Sequence, residues 1–150
     1  LPKAQIQKDA QIIPGTDGQK MSKSKNNTIN VFLPEKKLRK QIMEIQTDST
    51  PLEDPKDPDT CNVFALYSLL GTEQQISDLR TLYCAGGMGY GHAKQVLFEL
   101  ILDSFTEART KFDYYQNNPA EVTIALTKGA EKAKVIATDV MMRVRSKIGY

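Results

Sequence analysis

Histidine occurs once, at His92, and cysteine only twice, at Cys61 and Cys84. Two cysteines do not frame a disulfide scaffold, and a reduced, cytoplasmic chain is the simpler expectation. No apolar run approaches the roughly 20 residues that a membrane-spanning helix needs. Excess charge is also scarce: the net charge is +2, too mild to argue alone for a nucleic-acid partner. No initiating Met and no secretory pattern stand at Leu1. The abrupt start within Leu1–Gly15 is expected of a piece cut from a longer protein. What remains is a globular balance, 40% hydrophobic and 25% charged, which excludes a fibrous or disordered chain. The 150 residues suffice for one ordinary domain and its core.

Residues 1–33 differ from the rest. An apolar stretch, Gln11–Pro14, reads as a strand running into the turn Gly15-Thr16-Asp17-Gly18. A lysine-rich segment and the polar run Asn26-Asn27-Thr28 follow. This is loop chemistry, in which Gly and Asn supply unusual backbone angles. Residues 15–28 are expected to be mobile.

From Pro34 onward the pattern is helical. Pro34 suits a first helical position, and Leu38, Ile42 and Ile45 share a face. Residues 47–60 hold three prolines and read as an irregular connection, with a cap at Asp59 or Thr60. A short helix is expected over Cys61–Leu70, stopped by Gly71. Thr72 and Gln75 form a capping box for a third helix, with Ile76, Leu79 and Leu82 or Tyr83 inward. The glycines of 86–91 end it. A long helix is expected from His92 to Asn117, carrying Val96, Leu97, Leu100, Ile101, Ser104, Phe105, Ala108 and Phe112 at helical spacing. The last helix starts near Pro119 and runs almost to Tyr150, with a stripe of Val122, Leu126, Ala133, Ile136, Val140, Val144 and Ile148. The fold class is therefore mainly α: an antiparallel bundle of about five helices. No internal repeat is visible.

Lys20-Met21-Ser22-Lys23-Ser24 carries the chemistry. Two ammonium groups three residues apart, among small hydroxyl residues after a glycine turn, suit the non-bridging oxygens of phosphates. Most lysine clusters are solvated basic loops, but KMSKS is far more specific. It resembles the second signature of the class I aminoacyl-tRNA synthetases. Further residues narrow the resemblance to the bacterial-type tryptophanyl-tRNA synthetases: Ile45-Gln46-Thr47-Asp48-Ser49, Asp54-Pro55-Lys56-Asp57-Pro58, Asn62-Val63-Phe64 with Tyr67, Gly86–Gly91 with Lys94, and Gly129–Ala133. The tyrosyl enzymes share the loop but carry a different RNA-binding module.

The resemblance implies a carboxyl-terminal part of tryptophan–tRNA ligase, with two regions. Residues 1–33 would end the α/β nucleotide-binding catalytic domain, and 34–150 would form a helical anticodon-binding domain. The enzyme makes tryptophanyl-adenylate from tryptophan and ATP with Mg²⁺, then transfers the acyl group to tRNA(Trp). Lys20 and Lys23 would be the catalytic pair, stabilising charge on the leaving pyrophosphate. Met21, Ser22 and Ser24 complete the ATP-binding set, with Met21 also an apolar anchor between loop states. A homodimeric, cytoplasmic parent with no membrane association is implied. The family's first signature, HIGH, does not occur in these residues, so adenylate formation by this chain alone is not expected. Lys36, Lys37, Arg39, Lys40, Arg143, Arg145 and Lys147 are candidate tRNA contacts. Taken singly, each is more often a solvated helix residue. Tyr114 and Tyr115 are candidates for base stacking, although helical spacing favours packing for at least one.

Some members of this family hold an iron–sulfur cluster through C-x22-C-x6-C-x2-C. Cys61 and Cys84 have the first spacing, but Gly91 and Lys94 stand at the next two positions, with His92 one residue off. A cluster needs about four thiolates, so neither a cluster nor zinc is expected. The glycines at 86–91 follow no strand and do not make a dinucleotide fingerprint. A stand-alone helical RNA-binding module and a purely structural helical protein are the alternatives. An intact KMSKS discriminates against both, since neither needs a triphosphate loop.

Overall fold

The computed structural model describes residues 12–149. Among these residues are six α-helices: α1 (Glu35–Met43), α2 (Asn62–Ser68), α3 (Glu73–Ala85), α4 (Tyr90–Ser104), α5 (Thr106–Asn117) and α6 (Pro119–Ile148). No strand occurs among the described residues. The segment expected as a strand contributes one isolated antiparallel bridge, Pro14 with Lys20, and Gln11 lies outside the described residues. The chain divides into two compact units, Leu1–Glu107 and Ala108–Tyr150.

The first unit holds the core. Leu38 and Ile42 of α1, with Ile45 just beyond it, are buried as their spacing predicts. Val63, Phe64, Leu66 and Tyr67 of α2, Leu79 and Tyr83 of α3, and Ala93, Leu97, Phe98 and Ile101 of α4 join them. Helix α4 packs against both α1 and α2. Burying such side chains contributes about 1.5–3 kcal/mol each, before the entropy of ordering them is counted. Tyr83 stands edge-on to Phe64, with ring centroids 5.3 Å apart. Leu82, the other candidate for that inward position, is exposed.

Several boundaries differ from expectation for local reasons. Pro34 is the N-cap of α1 and Glu35 its first helical residue. The N-cap of α2 is Cys61 rather than Asp59 or Thr60. Those two residues are engaged elsewhere: Thr60 donates its hydroxyl to Asp57, and Asp59 pairs with Arg80 at 2.7 Å. The capping box forms at α3, where Thr72 accepts from the Gln75 backbone N–H and the Gln75 side chain reaches back.

The long fourth helix is two helices, which raises the count from five to six. Phe105, at φ −107° and ψ 12°, leaves the helical basin between α4 and α5. The Thr106 hydroxyl donates to the Leu102 carbonyl at 2.7 Å. Hydroxyl groups that bond back to a carbonyl four residues earlier commonly bend helices. Ser104, expected on the inward stripe, is exposed here.

The connection 47–60 is irregular but held from within. Lys56 is only 3% exposed. Its Nζ donates to the carbonyls of Pro51, Leu52 and Asp54 at 2.8, 3.4 and 3.2 Å, and its backbone N–H donates to Tyr83. A buried ammonium is costly unless such acceptors replace water. Gly86 closes the other side. Its φ is +77°, and a Cβ there would strike the Glu53 carbonyl. The glycine run thus serves as a helix stop and a close backbone approach.

In the second unit, α6 begins at Pro119, as its sequence predicts. Its apolar stripe, including Val122, Leu126, Ile136, Val140, Val144 and Ile148, is exposed in this structure. Tyr114 and Tyr115 pack edge to face at 5.4 Å, and the Tyr114 hydroxyl donates to Glu121 at 2.6 Å.

Candidate phosphate-binding loop and RNA-facing residues

The loop is built from a tight turn. Met21 N–H donates to the Ile13 carbonyl at 2.9 Å, and Gly15 N–H donates to Gln19 at 2.7 Å. Gly18 lies at φ +76°, a left-handed conformation that favours glycine. Lys23–Lys25 then form one 3-10 turn, ended by Asn26 at φ 53°. The segment read as mobile is internally hydrogen-bonded.

Its hub is Asn27, 2% exposed. The Asn27 Nδ2 donates to Asp17 Oδ1 at 2.7 Å and to the Lys20 carbonyl at 3.2 Å. The Asn27 Oδ1 accepts the Ser22 N–H at 2.8 Å. One carboxamide therefore ties the turn to the first and middle residues of the motif. Asp17 is held below the usual carboxylate range, chiefly by the Asn27 hydrogen bond. Gly15 is required beside it, because a Cβ at Gly15 would collide with the Asn27 side chain and carbonyl. Sequence reasoning placed Asn27 in a polar loop and missed this role. An Asn three residues past a lysine-rich signature gives no local signal of burial.

The motif side chains divide by function. Lys20 and Lys23 are exposed, and among the described residues neither ammonium has a hydrogen bond or ion pair. Lys25, by contrast, donates to Gln19 at 2.7 Å. The Ser22 and Ser24 hydroxyls share a hydrogen bond of 2.8 Å. Met21 points the other way in chemical terms. It lines an apolar cavity of about 370 Å³ with Ile13, Ile29, Leu66, Leu97 and Phe105. Ammonium groups, hydroxyls and backbone amides suit phosphate oxygens. They do not suit a divalent metal, and the described residues contain no group of three or more His, Cys, Asp or Glu side chains placed to hold one.

The basic candidates fall into the two units. Lys36, Lys37, Arg39 and Lys40 are exposed together on α1. Arg39 donates to Gln95 at 3.0 Å, and Lys40 lies 3.9 Å from Glu44. Arg143, Arg145 and Lys147 lie on α6 in the second unit, with Arg143 3.5 Å from Asp139. Cys61 is buried and shares a 3.4 Å hydrogen bond with the Tyr83 hydroxyl, while Cys84 is exposed. Lys94, at the fourth position of the cluster pattern, donates to the Met43 carbonyl at 3.0 Å. Burial lowers its pKa. No helix among the described residues is long and apolar enough to cross a membrane.

Residues 2–131 match the family described as tRNA synthetases class I (W and Y), and the chain belongs to that family. Within it, the relatives compared below are tryptophan enzymes. The chain is 45% identical to the tryptophan–tRNA ligase of Fusobacterium nucleatum over 149 residues, covering 99% of this chain and 46% of that protein. It is 38% identical to that of Pseudomonas aeruginosa, covering 33% of that protein. Among solved structures, the tryptophanyl-tRNA synthetase of Campylobacter jejuni complexed with ADP and tryptophan superposes with a TM-score of 0.89 at 45% identity. That match covers all of this chain and 47% of the other. The chain spans about half the length of the first of these relatives.

Proposed function

We propose that this chain supplies the KMSKS loop and the anticodon-binding region of a tryptophan–tRNA ligase. In this reading residues 1–33 belong to the nucleotide-binding domain and 34–150 to the helical tRNA-binding domain. The carrying observation is the pair of partnerless ammonium groups, Lys20 and Lys23, on a loop held by buried Asn27. Among the described residues no protein acceptor meets either charge, which leaves both for a polyphosphate. When the tryptophan carboxylate attacks the α-phosphate of ATP, negative charge builds on the departing pyrophosphate. Lys20 and Lys23 would neutralise it, and Ser22, Ser24 and the loop amides would donate further hydrogen bonds. Mg²⁺ would arrive with the triphosphate and add charge neutralisation there. The cavity beneath Met21 would give the loop an apolar seat. On the RNA side, the exposed lysines and arginines of α1 and α6 would meet tRNA(Trp) phosphates. A homodimeric, cytoplasmic parent completes the proposal.

The test is a chimera in which these residues replace the matching half of the Campylobacter jejuni enzyme. Tryptophan-dependent ATP–pyrophosphate exchange is expected in the chimera. Lys20→Ala or Lys23→Ala should each reduce it by on the order of 10²–10³. Full exchange after both substitutions would reject the assignment.

A further inference from the structure

Met21 is the one apolar residue within Lys20–Ser24. Its cavity of about 370 Å³ is apolar throughout: every lining side chain, from Ile13 and Ile29 to Leu66, Leu97 and Phe105, is a hydrocarbon or a thioether. None of these side chains carries a hydrogen-bond donor. The thioether is the one group among them that mild chemistry converts from apolar to polar.

The main chain is fixed on both sides of Met21. Its own N–H donates to the Ile13 carbonyl at 2.9 Å. The preceding carbonyl, of Lys20, accepts the Asn27 Nδ2 at 3.2 Å, and the following N–H, of Ser22, donates to the Asn27 Oδ1 at 2.8 Å. The Met21 side chain therefore leaves its cavity only if this segment turns, and Lys20 and Ser22 turn with it. Met21 is half-buried, within reach of a small hydroperoxide. Met88 is only 7% exposed. Met141 and Met142 are exposed, but they belong to α6 and to no hydrogen bond of the loop.

We propose that the Met21 sulfur is an oxidation site, and that its sulfoxide turns the Lys20–Ser24 loop out of the arrangement that serves phosphate. A hydroperoxide transfers one oxygen atom. With hydrogen peroxide the O–O bond breaks, an S=O bond forms, sulfur gives up two electrons, and the second oxygen keeps both hydrogens and leaves as water. The sulfoxide oxygen is a hydrogen-bond acceptor, and no side chain of the cavity has a donor to meet it. A dithiol acting through a methionine sulfoxide reductase reverses the step, forming a disulfide and water. The inference rests on the phosphate-loop reading above and adds a reversible modification that regulates the loop.

The first experiment uses the 150-residue chain with ¹³C-methyl methionine and ¹⁵N labels, carrying Cys84→Ser so that the exposed thiol does not consume oxidant. Under limiting hydrogen peroxide the Met21 methyl signal should convert to that of the sulfoxide before the Met88 signal does. The Ser22 amide and the Asn27 side-chain amide should shift with it. Ser22 amide exchange should accelerate on the order of tenfold, the cost of an unmet acceptor in an apolar site, while α4 amides stay unchanged. Adding Met141→Leu with Met142→Leu should leave this response intact. Sulfoxide reductases of both stereospecificities with dithiothreitol should restore the original spectrum. The second experiment uses the Campylobacter jejuni chimera. Its pyrophosphate exchange should fall on the order of tenfold after peroxide and recover with the reductases. The Met21→Leu chimera, in which the volume of the side chain is roughly kept, should retain its own untreated rate. A Met21 methyl that resists peroxide while Met88 oxidises would overturn the proposal. So would Ser22 and Asn27 signals unmoved by the Met21 sulfoxide, or an equal loss of exchange in both chimeras. A chimera without exchange before treatment would instead reject the phosphate-loop reading, and the loop spectra would still decide the oxidation site.

Discussion

The carboxamide oxygen of Asn27 accepts the backbone N–H of Ser22 at 2.8 Å, which fixes the middle of the KMSKS segment from a buried side chain five residues away. The same amide group reaches Asp17 and the Lys20 carbonyl through its nitrogen. Replacing Asn27 by Ala would leave Asp17 and two backbone groups without this partner. A loss of about 1–3 kcal/mol is expected. Amide hydrogen exchange should accelerate at Ser22 ahead of the helical core. An unchanged Ser22 exchange rate would show that the loop keeps its shape without Asn27.

Lys20 and Lys23 should behave oppositely. Neither ammonium has a described partner, so Lys20→Ala with Lys23→Ala should leave the melting temperature of the chain within error. A clear drop in melting temperature would mean that these charges hold the fold and are not reserved for a ligand. The unsubstituted 150-residue chain alone should show no tryptophan-dependent pyrophosphate exchange, since it contains no HIGH sequence.

Lys56 is a buried cation satisfied by carbonyl oxygens, and its removal should expose that dependence. Lys56→Met keeps the unbranched apolar stem but removes the ammonium and strands the carbonyls of Pro51, Leu52 and Asp54. Destabilisation of about 1–3 kcal/mol is expected in urea unfolding. A neutral or stabilising result would show that the loop rearranges to hydrate those carbonyls.

Stability should fall at both extremes of pH. Asp17, Asp48 and Asp59 have pKa values below the ordinary 3.8, through Asn27, Thr50 and Arg80 respectively. Their stabilisation is complete above that value and is lost as pH falls through the lower folded-state values. On the alkaline side, burial and then the Asp48 hydrogen bond push Tyr90 up to about 12. Its contribution is complete below the ordinary 10.0 and is lost as pH rises from there to about 12. Tyr90→Phe should shrink this alkaline limb. A urea midpoint that rises on acidification below pH 4 would contradict the carboxylate assignments.

Metal content gives a separate check. Cys61 is engaged with Tyr83, Cys84 is exposed, and Gly91 and Lys94 stand at the remaining positions of the cluster pattern. The chain purified without oxygen should contain neither zinc nor iron and sulfide in stoichiometric amount. Four iron atoms per chain by elemental analysis would overturn this.

The sequence by itself determined whatever depends on neighbours three or four residues apart, or on a contiguous signature. The burial of Leu38, Ile42, Leu79 and Leu97, the Thr72–Gln75 capping box, and the Pro119 start of α6 are all of this kind. The proposal of Lys20–Ser24 as a phosphate loop rests on the same kind of signal, because its residue types are contiguous. Tertiary structure alone decided the polar partners. Asp48 meets Tyr90 across 42 residues, Arg39 meets Gln95 across 56, and Asn27 becomes buried only when the turn folds over it. The break at Phe105 was likewise hidden, because its residues keep helical spacing through the bend. Hydrophobic periodicity specifies which face turns inward, since burial rewards any apolar contact. It does not specify which donor meets which acceptor: hydrogen bonds are short and directional, and their pairing is fixed only after α1, α2 and α4 have packed.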